Sequence, residues 1–301
     1  MLRIDNNPEV ELLDLPRLSK FQVQLSIKRE DKIHSSISGN KWRKLYYNLI
    51  EAKKKNFKGI LTFGGAFSNH IYAAAAAAKE LDLKSIGIIR GEEADENNPT
   101  LQFAKSQGME LCKVSRTEYK RKDEKEYLKE LSARFPAFYI IPEGGSNQLA
   151  VTGASEMVSN DLVDLYDYWA VAIGTGGTAA GIINGLKGKS HVLGFSSLKG
   201  GAFLEKDIQS FLTGTYRNWE IRTDYHFGGY AKHQPELIAC INNFKAATGI
   251  QLDPIYTGKM VYGVLDLIKK GNIPSGAKVL MVHTGGLQGL EGFRARYGKI
   301  L

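Results

Sequence analysis

Six short apolar runs, rich in β-branched residues and spaced by helix-length segments, restrict what this chain can fold into more than any other feature. They cover residues 59–63, 85–89, 138–141, 168–173, 192–195 and 279–282. Runs of this length without apolar–polar alternation read as strands buried on both faces, as in parallel sheets whose crossovers are helices. The expected fold class is α/β, with open, mostly parallel sheets flanked by helices. Five of the runs lead within a few residues into glycine-rich or polar loops at 64–65, 91–92, 143–145, 174–177 and 284–286. Loops at the C-terminal ends of strands are where open α/β sheets bind ligands.

At 301 residues the chain exceeds the usual span of one compact domain, so two domains, or one large α/β domain, are expected. No repeat, low-complexity linker or Pro/Gly/Ser-rich hinge divides it, which makes a second domain an insertion and not a tail. Residues 1–9 carry acidic side chains and Pro8 where a secretory leader has a basic start and an apolar stretch, so no signal peptide is expected. The longest apolar run, 71–78, is mostly alanine and far short of the roughly 20 residues of a membrane span. No membrane partner is expected. Cys112 and Cys240 stand far apart without a C-x-x-C pair, which argues against a disulfide framework or a metal site and fits a reducing cytoplasm. The net charge of +8 comes from basic residues interleaved with acidic ones, as in 120–126, with no aromatic platform beside them. Nucleic acid is therefore not an expected partner, whereas a small anionic substrate or a cofactor phosphate is compatible with the excess charge. Residues 116–134 read as one exposed helix with Tyr127, Leu128 and Leu131 facing inward.

Three loops and two C-terminal segments carry candidate chemistry. Gly39-Asn40 runs into Lys41-Trp42-Arg43-Lys44-Leu45, whose continuation predicts a helix capped by Asn40. Lys41 then lies in the first turn, where the helix dipole lowers an ammonium pKa and favours the neutral amine that a carbonyl cofactor needs. Lys44 shares that face and can reach a phosphate. Taken locally, a surface lysine on a basic helix explains the segment equally well. The second loop, Gly64-Gly65-Ala66-Phe67-Ser68-Asn69-His70, follows a strand and opens the alanine-rich helix. Ser68 and Asn69 fall at the helix start, where free N–H groups and side-chain donors suit a carboxylate. A plain capping role for Ser68 with a surface His70 stays open.

The third loop, Gly174-Thr175-Gly176-Gly177-Thr178-Ala179, is the strongest local signal: a strand, a glycine loop with two threonines, then a helix. Its backbone N–H groups and hydroxyls can surround one phosphate. It also matches G-x-G-x-x-A, but no acidic residue follows the next strand before Glu205, and no G-K-[ST] is present. A single phosphate on a small cofactor is the better reading. Further on, Asp253-Pro254-Ile255-Tyr256-Thr257-Gly258-Lys259 offers a phenol at Tyr256, and His283-Thr284-Gly285-Gly286 offers a hydroxyl at Thr284 for a ring nitrogen. Turn chemistry accounts for Asp253-Pro254 and Gly285-Gly286 as well as function does.

Together, Gly39-Asn40-Lys41, Ser68-Asn69-His70, the Gly174 loop, the run from Asp253 to Lys259 and His283-Thr284-Gly285-Gly286 follow the order found in pyridoxal-phosphate (PLP) enzymes of fold type II, the tryptophan synthase β-like class. The pattern resembles most closely the 1-aminocyclopropane-1-carboxylate deaminase and D-cysteine desulfhydrase group, and residues 27–31 are similar too. The resemblance implies a large PLP-binding domain of residues 1–44 and 152–301, a small inserted α/β domain of residues 45–151, PLP in the cleft between them, and a homodimer. It implies that Lys41 forms the Schiff base and then acts as base at the substrate Cα, with Lys44 beside it. Asn69 is implied to meet the PLP 3-hydroxyl, Gly174, Thr175, Gly176, Gly177 and Thr178 the phosphate, and Thr284 the pyridine nitrogen. Ser68, Asn69 and His70 are implied for the substrate carboxylate, and Tyr230 and Tyr256 as the substrate-facing, proton-handling tyrosines.

A hydroxyl at the ring nitrogen leaves a weaker electron sink than a carboxylate, which suits β-elimination of a good leaving group better than cyclopropane opening. The deaminases follow the tyrosine with glutamate and place glutamine after Ser-Asn; here those positions are Thr257 and His70, as in the desulfhydrases. Phe67 stands where the group usually has glutamine, and the lysine loop reads Ser-Gly-Asn in place of Gly-Gly-Asn. Phe67 is expected to narrow and dry the pocket. The expected activity is α,β-elimination from a small amino acid, in the manner of D-cysteine desulfhydrase. The alternatives are aminocyclopropane-carboxylate deamination, D-serine-type dehydration, and PLP binding without turnover.

Overall fold

The computed structural model describes residues 2, 4, 8–298, 300 and 301; most of the segment read above against a secretory leader, residues 1, 3 and 5–7, lies outside the described residues. Strands β1 to β10 are, in order, Val10–Leu12, Gln24–Lys28, Gly59–Gly64, Lys84–Arg90, Met109–Val114, Phe138–Ile141, Tyr168–Ile173, His191–Ser196, Trp219–Arg222 and Lys278–Val282. Helices α1 to α11 are Asn40–Lys54, Asn69–Glu80, Pro99–Ser106, Arg116–Tyr119, Lys125–Arg134, Gln148–Ser155, Gly177–Leu186, Leu204–Phe211, Pro235–Thr248, Thr257–Lys269 and Gly289–Tyr297. A six-stranded sheet runs β1-β2-β10-β7-β8-β9, parallel except where β1 pairs with β2. A four-stranded sheet runs β5-β4-β3-β6 and is parallel throughout.

The apolar runs form the sheet interiors. Every residue of β3 is buried, and β7 and β8 bury all but their first. Burial on both faces is what a parallel sheet covered by helices demands. The alanines of α2, Ala73 to Ala78, are all buried, and their small side chains let α2 lie against β3, β4, α1 and α3 together. On α1, Leu45 and Leu49 are fully buried; each such side chain contributes about 1.5–3 kcal/mol by leaving water. Helix α6 packs against both α1 and α7, so the helix that carries Lys41 is tied to the one that opens at the Gly174 loop. At its start α1 is also tied to β2: the fully buried Glu30 carboxylate accepts from Arg43 Nε at 3.1 Å and lies 3.7 Å from Lys28 Nζ.

Two expectations need correction, and four strands stand beyond the six expected. Residues 116–134 are not one helix: α4 and α5 are separated by a 3-10 turn over Lys120–Asp123, and Glu124 is extended (ψ 130°). Tyr127 and Leu131 are buried as expected, Leu128 packs against the same cluster, and Tyr119 joins them. Strands β1, β2, β5 and β9 lack a continuous apolar run: β1, β5 and β9 are sheet edges, and β2 alternates Gln24, Ser26 and Lys28 with two apolar residues. Asn40 does not cap α1. It is the first helical residue, the position before it is Gly39, and its amide is engaged elsewhere.

Gly39 explains that arrangement. Its φ is +65°, and a Cβ placed on it would lie 2.0 Å from the Thr284 carbonyl oxygen, so α1 begins in backbone contact with the end of β10. Asn40 N–H donates to that same oxygen at 3.2 Å. Gly276, also left-handed at φ +84°, has no atom within 4 Å of such a Cβ. Gly276→Ala is therefore expected to cost only the left-handed penalty of about 1–2 kcal/mol. Gly39→Ala is expected to cost clearly more and to lower cofactor content, read by thermal unfolding and visible absorbance of the two purified variants; equal losses in stability would contradict the close-approach argument.

Candidate active site

The loops after β3, β6, β7 and β10, together with the start of α1, open onto one cavity of about 820 Å³. Lys41, Lys44, Ser68, Asn69, His70, Gly174, Thr175, Gly176, Thr178, Tyr230, Tyr256 and Thr284 all line it, which brings together segments up to 243 residues apart (Lys41 to Thr284). Of the residues singled out from sequence, Gly177 alone is off the wall. It lies directly behind, where a Cβ would meet Ser146 Oγ at 3.1 Å and Lys44 Nζ at 3.3 Å.

Lys41 donates from Nζ to Asn40 Oδ1 at 2.9 Å, and Asn40 Nδ2 donates to Thr178 Oγ1 at 2.8 Å. Asn40 thus ties the lysine to the glycine loop. Burial pulls the Lys41 ammonium down to about 8, against the opposing pull of the Asp253 carboxylate. The direction matches the expectation from the helix end, but its largest cause is desolvation, which the sequence alone does not reveal. Lys44, one turn on and 1 % exposed, donates to Ser146 Oγ at 2.8 Å and reaches Thr175 Oγ1 at 3.4 Å. Burial and the neighbouring Lys41 hold its ammonium well below the ordinary value.

Ser68 does cap α2: its Oγ accepts from the N–H groups of His70 and Ile71 at 3.2 and 3.3 Å. The capping bonds use the oxygen as acceptor and leave its O–H free to donate into the cavity. The Asn69 side chain makes no hydrogen bond to the described residues, and its Nδ2 lies 3.0 Å from where a Cβ on Gly286 would stand. His70 is not a surface histidine. It is 2 % exposed and its Nε2 pairs with Thr62 Oγ1 at 2.8 Å, while Thr62 donates its proton to the Ile141 carbonyl. The Nε2 therefore carries the hydrogen, and Nδ1 is a buried acceptor without a partner. Burial, Lys41 and Lys44 together hold the ring neutral, its pKa far below the ordinary value. As a donor to a carboxylate His70 is unsuited; as an acceptor it is available.

The two tyrosines face each other, ring centroids 6.1 Å apart at 67°. Burial pushes the Tyr256 phenol well above its ordinary value, with Tyr230 and Asp253 adding to the shift. Tyr230 is 42 % exposed at the open side of the cleft; the partial desolvation of its phenol raises it as well, opposed by Tyr256 and by Arg90. Tyr256 is aimed by Asp253, whose buried carboxylate accepts from the N–H groups of Ile255, Tyr256 and Thr257 and from the Thr257 hydroxyl at 2.6 to 2.9 Å. Phe67 stands at the mouth, 44 % exposed, with its ring over the Cα of Gly292; it narrows the entrance and not the depth of the cleft.

Ser146, Asp253, Arg90 and Glu143 belong to this region and were not singled out as site residues. Ser146 directly follows the flagged loop 143–145, so one more residue of that loop would have found it. Asp253 reads as turn chemistry and is indeed that, yet its turn sets Tyr256. Arg90 ends β4 beside Gly65 and carries no ion pair among the described residues.

The donor set fits PLP. A buried ammonium at Lys44 and a half-buried one at Lys41, neither ion-paired to a carboxylate among the described residues, three hydroxyls at Ser146, Thr175 and Thr178, and a glycine-lined turn at the start of α7 suit a phosphate. The orphaned His70 Nδ1 and the Thr284 hydroxyl, which has no hydrogen bond among the described residues, suit the polar edge of a bound ring.

Comparison with known proteins agrees. An Arabidopsis thaliana enzyme named as a bifunctional D-cysteine desulfhydrase/1-aminocyclopropane-1-carboxylate deaminase is 34 % identical over 89 % of this chain and 73 % of its own. A Pyrococcus furiosus protein, named provisionally as a 1-aminocyclopropane-1-carboxylate deaminase, is 33 % identical over 94 % of this chain and 93 % of its own. A solved structure described as an ACC deaminase homologue superposes with a TM-score of 0.84 at 28 % identity, covering 100 % of this chain and 95 % of that one. The sequence profile of the pyridoxal-phosphate dependent enzymes matches residues 6–285. With the α/β fold of two mostly parallel sheets and a cleft built for one phosphate and one ring, this chain belongs to the family of pyridoxal-phosphate dependent enzymes, in fold type II.

Proposed function

We propose that the enzyme carries out α,β-elimination on a small amino acid, D-cysteine first among them, giving a keto acid and ammonia. One juxtaposition carries this reading: an amine held near neutrality, Lys41, shares a cleft with two phenols held protonated, Tyr230 and Tyr256. A base and an acid are thereby available at the same pH. For D-cysteine, the Cα–H and Cβ–S bonds break, the C–H electron pair becomes the second bond between Cα and Cβ, and sulfur leaves with the Cβ–S pair. One water then yields pyruvate and ammonia, with hydrogen sulfide already released.

When bound, PLP supplies the electron sink that makes the Cα–H bond acidic. Lys44, Ser146 and the turn Gly174, Thr175, Gly176, Gly177 and Thr178 would hold its phosphate; Asn69 would meet its ring hydroxyl and Thr284 its pyridine nitrogen. Lys41 would hold the cofactor and, as the free amine once substrate has taken its place, take the Cα proton. Ser68 and Asn69 donate to the substrate carboxylate. His70 contributes to the substrate pocket as an acceptor in the wall. Tyr230 and Tyr256 deliver the proton that the departing group requires. The reading of D-cysteine over the cyclopropane ring is supported at Thr257: it is fully buried and its hydroxyl is bonded to Asp253, so no carboxylate follows Tyr256 into the cleft. The names of the relatives support aminocyclopropane-carboxylate deamination as the second reading.

We place the domain division at residues 1–44 with 152–301 and at 45–151, which is supported by the four-stranded sheet lying within residues 59–141 and the six-stranded sheet outside them. A homodimer, in the cytoplasm, completes the proposal; the two free thiols, Cys112 and Cys240, support a reducing compartment, and no helix of the described residues is long and apolar enough to cross a membrane. 

Two outcomes are expected. Only the free amine of Lys41 captures PLP, and the free amine predominates above its pKa. Uptake by the apoenzyme, followed by visible absorbance, should therefore speed up with rising pH and level off above about 8; a rate still climbing at pH 10 would contradict the placement of Lys41. In the substrate assay, D-cysteine should give pyruvate and sulfide faster than aminocyclopropane carboxylate gives 2-oxobutyrate. The reverse order would select the second reading, and a yellow protein inert toward D- and L-amino acids would overturn both.

A further inference from the structure

Lys259 ends the Asp253-to-Lys259 run, and nothing so far gives it a task. It lies in the first turn of α10, three residues after Tyr256, and is 1 % exposed. Burying an ammonium is costly unless it is paired or fully hydrogen-bonded. Lys259 has no ion pair among the described residues; its Nζ donates to the carbonyl oxygens of His226 and Gly229, each at 2.8 Å. Methionine or leucine would fill the same volume without that cost; the charge is held by those two carbonyls, with the Asp253 carboxylate attracting it from further off.

The carbonyls belong to the loop that carries Tyr230. Phe227, Gly228, Gly229 and Ala231 all have positive φ, at 51°, 93°, 116° and 55°. Phe227 and Ala231 are side-chain-bearing residues in a region that disfavours them, a conformation that persists only when its surroundings hold it. One side of that hold is the ammonium. The other is His233, whose ring packs 5.0 Å from Phe293 and 4.6 Å from Tyr297 on α11. Tyr256 precedes α10 directly and Tyr230 hangs from the Lys259 ammonium, so the same helix start places both phenols.

We propose that Lys259 is a positioning residue: by bridging the His226 and Gly229 carbonyls it fixes where Tyr230 stands opposite Tyr256, and through that spacing it sets turnover. The proposal rests on the reading that Tyr230 faces the substrate. Charge-assisted hydrogen bonds of this kind are among the stronger ones a protein makes, and a buried carbonyl left without its donor does not keep its place.

The test is a double-mutant cycle on the PLP-loaded enzyme with Lys259→Met, Tyr230→Phe and the pair, assayed on D-cysteine or on whichever amino acid of the panel turns over fastest. Lys259→Met is expected to keep the visible absorbance of the holoenzyme, because the Lys259 ammonium bonds to the His226 and Gly229 carbonyls and not to the groups assigned to the phosphate or ring. It should lower kcat by about ten- to a hundredfold, the loss expected for one or two charge-assisted bonds. In the Tyr230→Phe background the same change should add little, because both act through one phenol. Losses that multiply, or a Lys259→Met enzyme with unchanged kcat and KM beside an impaired Tyr230→Phe, overturn the positioning role alone. An unimpaired Tyr230→Phe overturns the placement of Tyr230, and the proposal with it. If Lys259→Met does not retain cofactor, the cycle is run with Lys259→Gln, whose amide reaches one carbonyl at most, and the same outcomes decide.

Discussion

Two ammonium groups one helical turn apart in the cleft, Lys44 buried and Lys41 half-buried, with no carboxylate paired to either among the described residues, are the constraint around which the rest of this molecule is arranged. Each of Lys41 and Lys44 loses most of its hydration in the cleft, and each is within reach of the other's charge. Isolated buried charges of this kind cost several kcal/mol. Among the described residues their hydrogen-bond partners are neutral, the Asn40 amide for Lys41 and the Ser146 and Thr175 hydroxyls for Lys44, and the Asp253 carboxylate attracts Lys41 without pairing with it. A dianionic phosphate and a carbonyl that consumes one amine are what such a pair lacks. Cofactor binding therefore relieves electrostatic strain that the fold itself builds in, and the holoenzyme should be the more stable form by linkage.

That strain is tolerable because the cleft is assembled by a backbone contact and by side-chain bonds that do not involve the two lysines. Gly39 lets α1 start against Thr284; Asn40 reaches Thr178 across the glycine loop; Glu30 anchors Arg43. These fix the direction of α1 from three sides before either ammonium is considered. The parallel sheets then do what open α/β sheets do, presenting strand ends and their loops on one side. Asp253 acts in the same manner for the tyrosines, using its carboxylate to shape a turn and so to aim Tyr256.

Much of this was legible in the sequence, for a physical reason. Strands buried on both faces must be continuous apolar runs, so the central strands β3, β4, β7, β8 and β10 announce themselves, as do the glycine loops after them; β6, an edge strand, is apolar as well. Edge strands pair on one side only, and β5 and β9 have no such signature. The direction of the Lys41 shift was readable too, but its main cause, burial, depends on loops contributed by residues far along the chain. Partners across long separations were out of reach: Lys44 with Ser146 is 102 residues apart, and Asn40 with Thr178 is 138. The His70 tautomer is of the same kind, since it is set by Thr62, which is in turn set by the Ile141 carbonyl on the neighbouring strand.

Lys41, Lys44 and Lys259 are three lysines held below the ordinary ammonium pKa by desolvation, and they take three different tasks: holding the cofactor, holding its phosphate, and holding a tyrosine loop. Reducing the holoenzyme with borohydride and mapping the modified peptide by mass spectrometry tests that division most directly. The account predicts one pyridoxyl group per chain, on Lys41. A group on Lys44 or Lys259, or no fixed group on a protein that binds PLP, would contradict it.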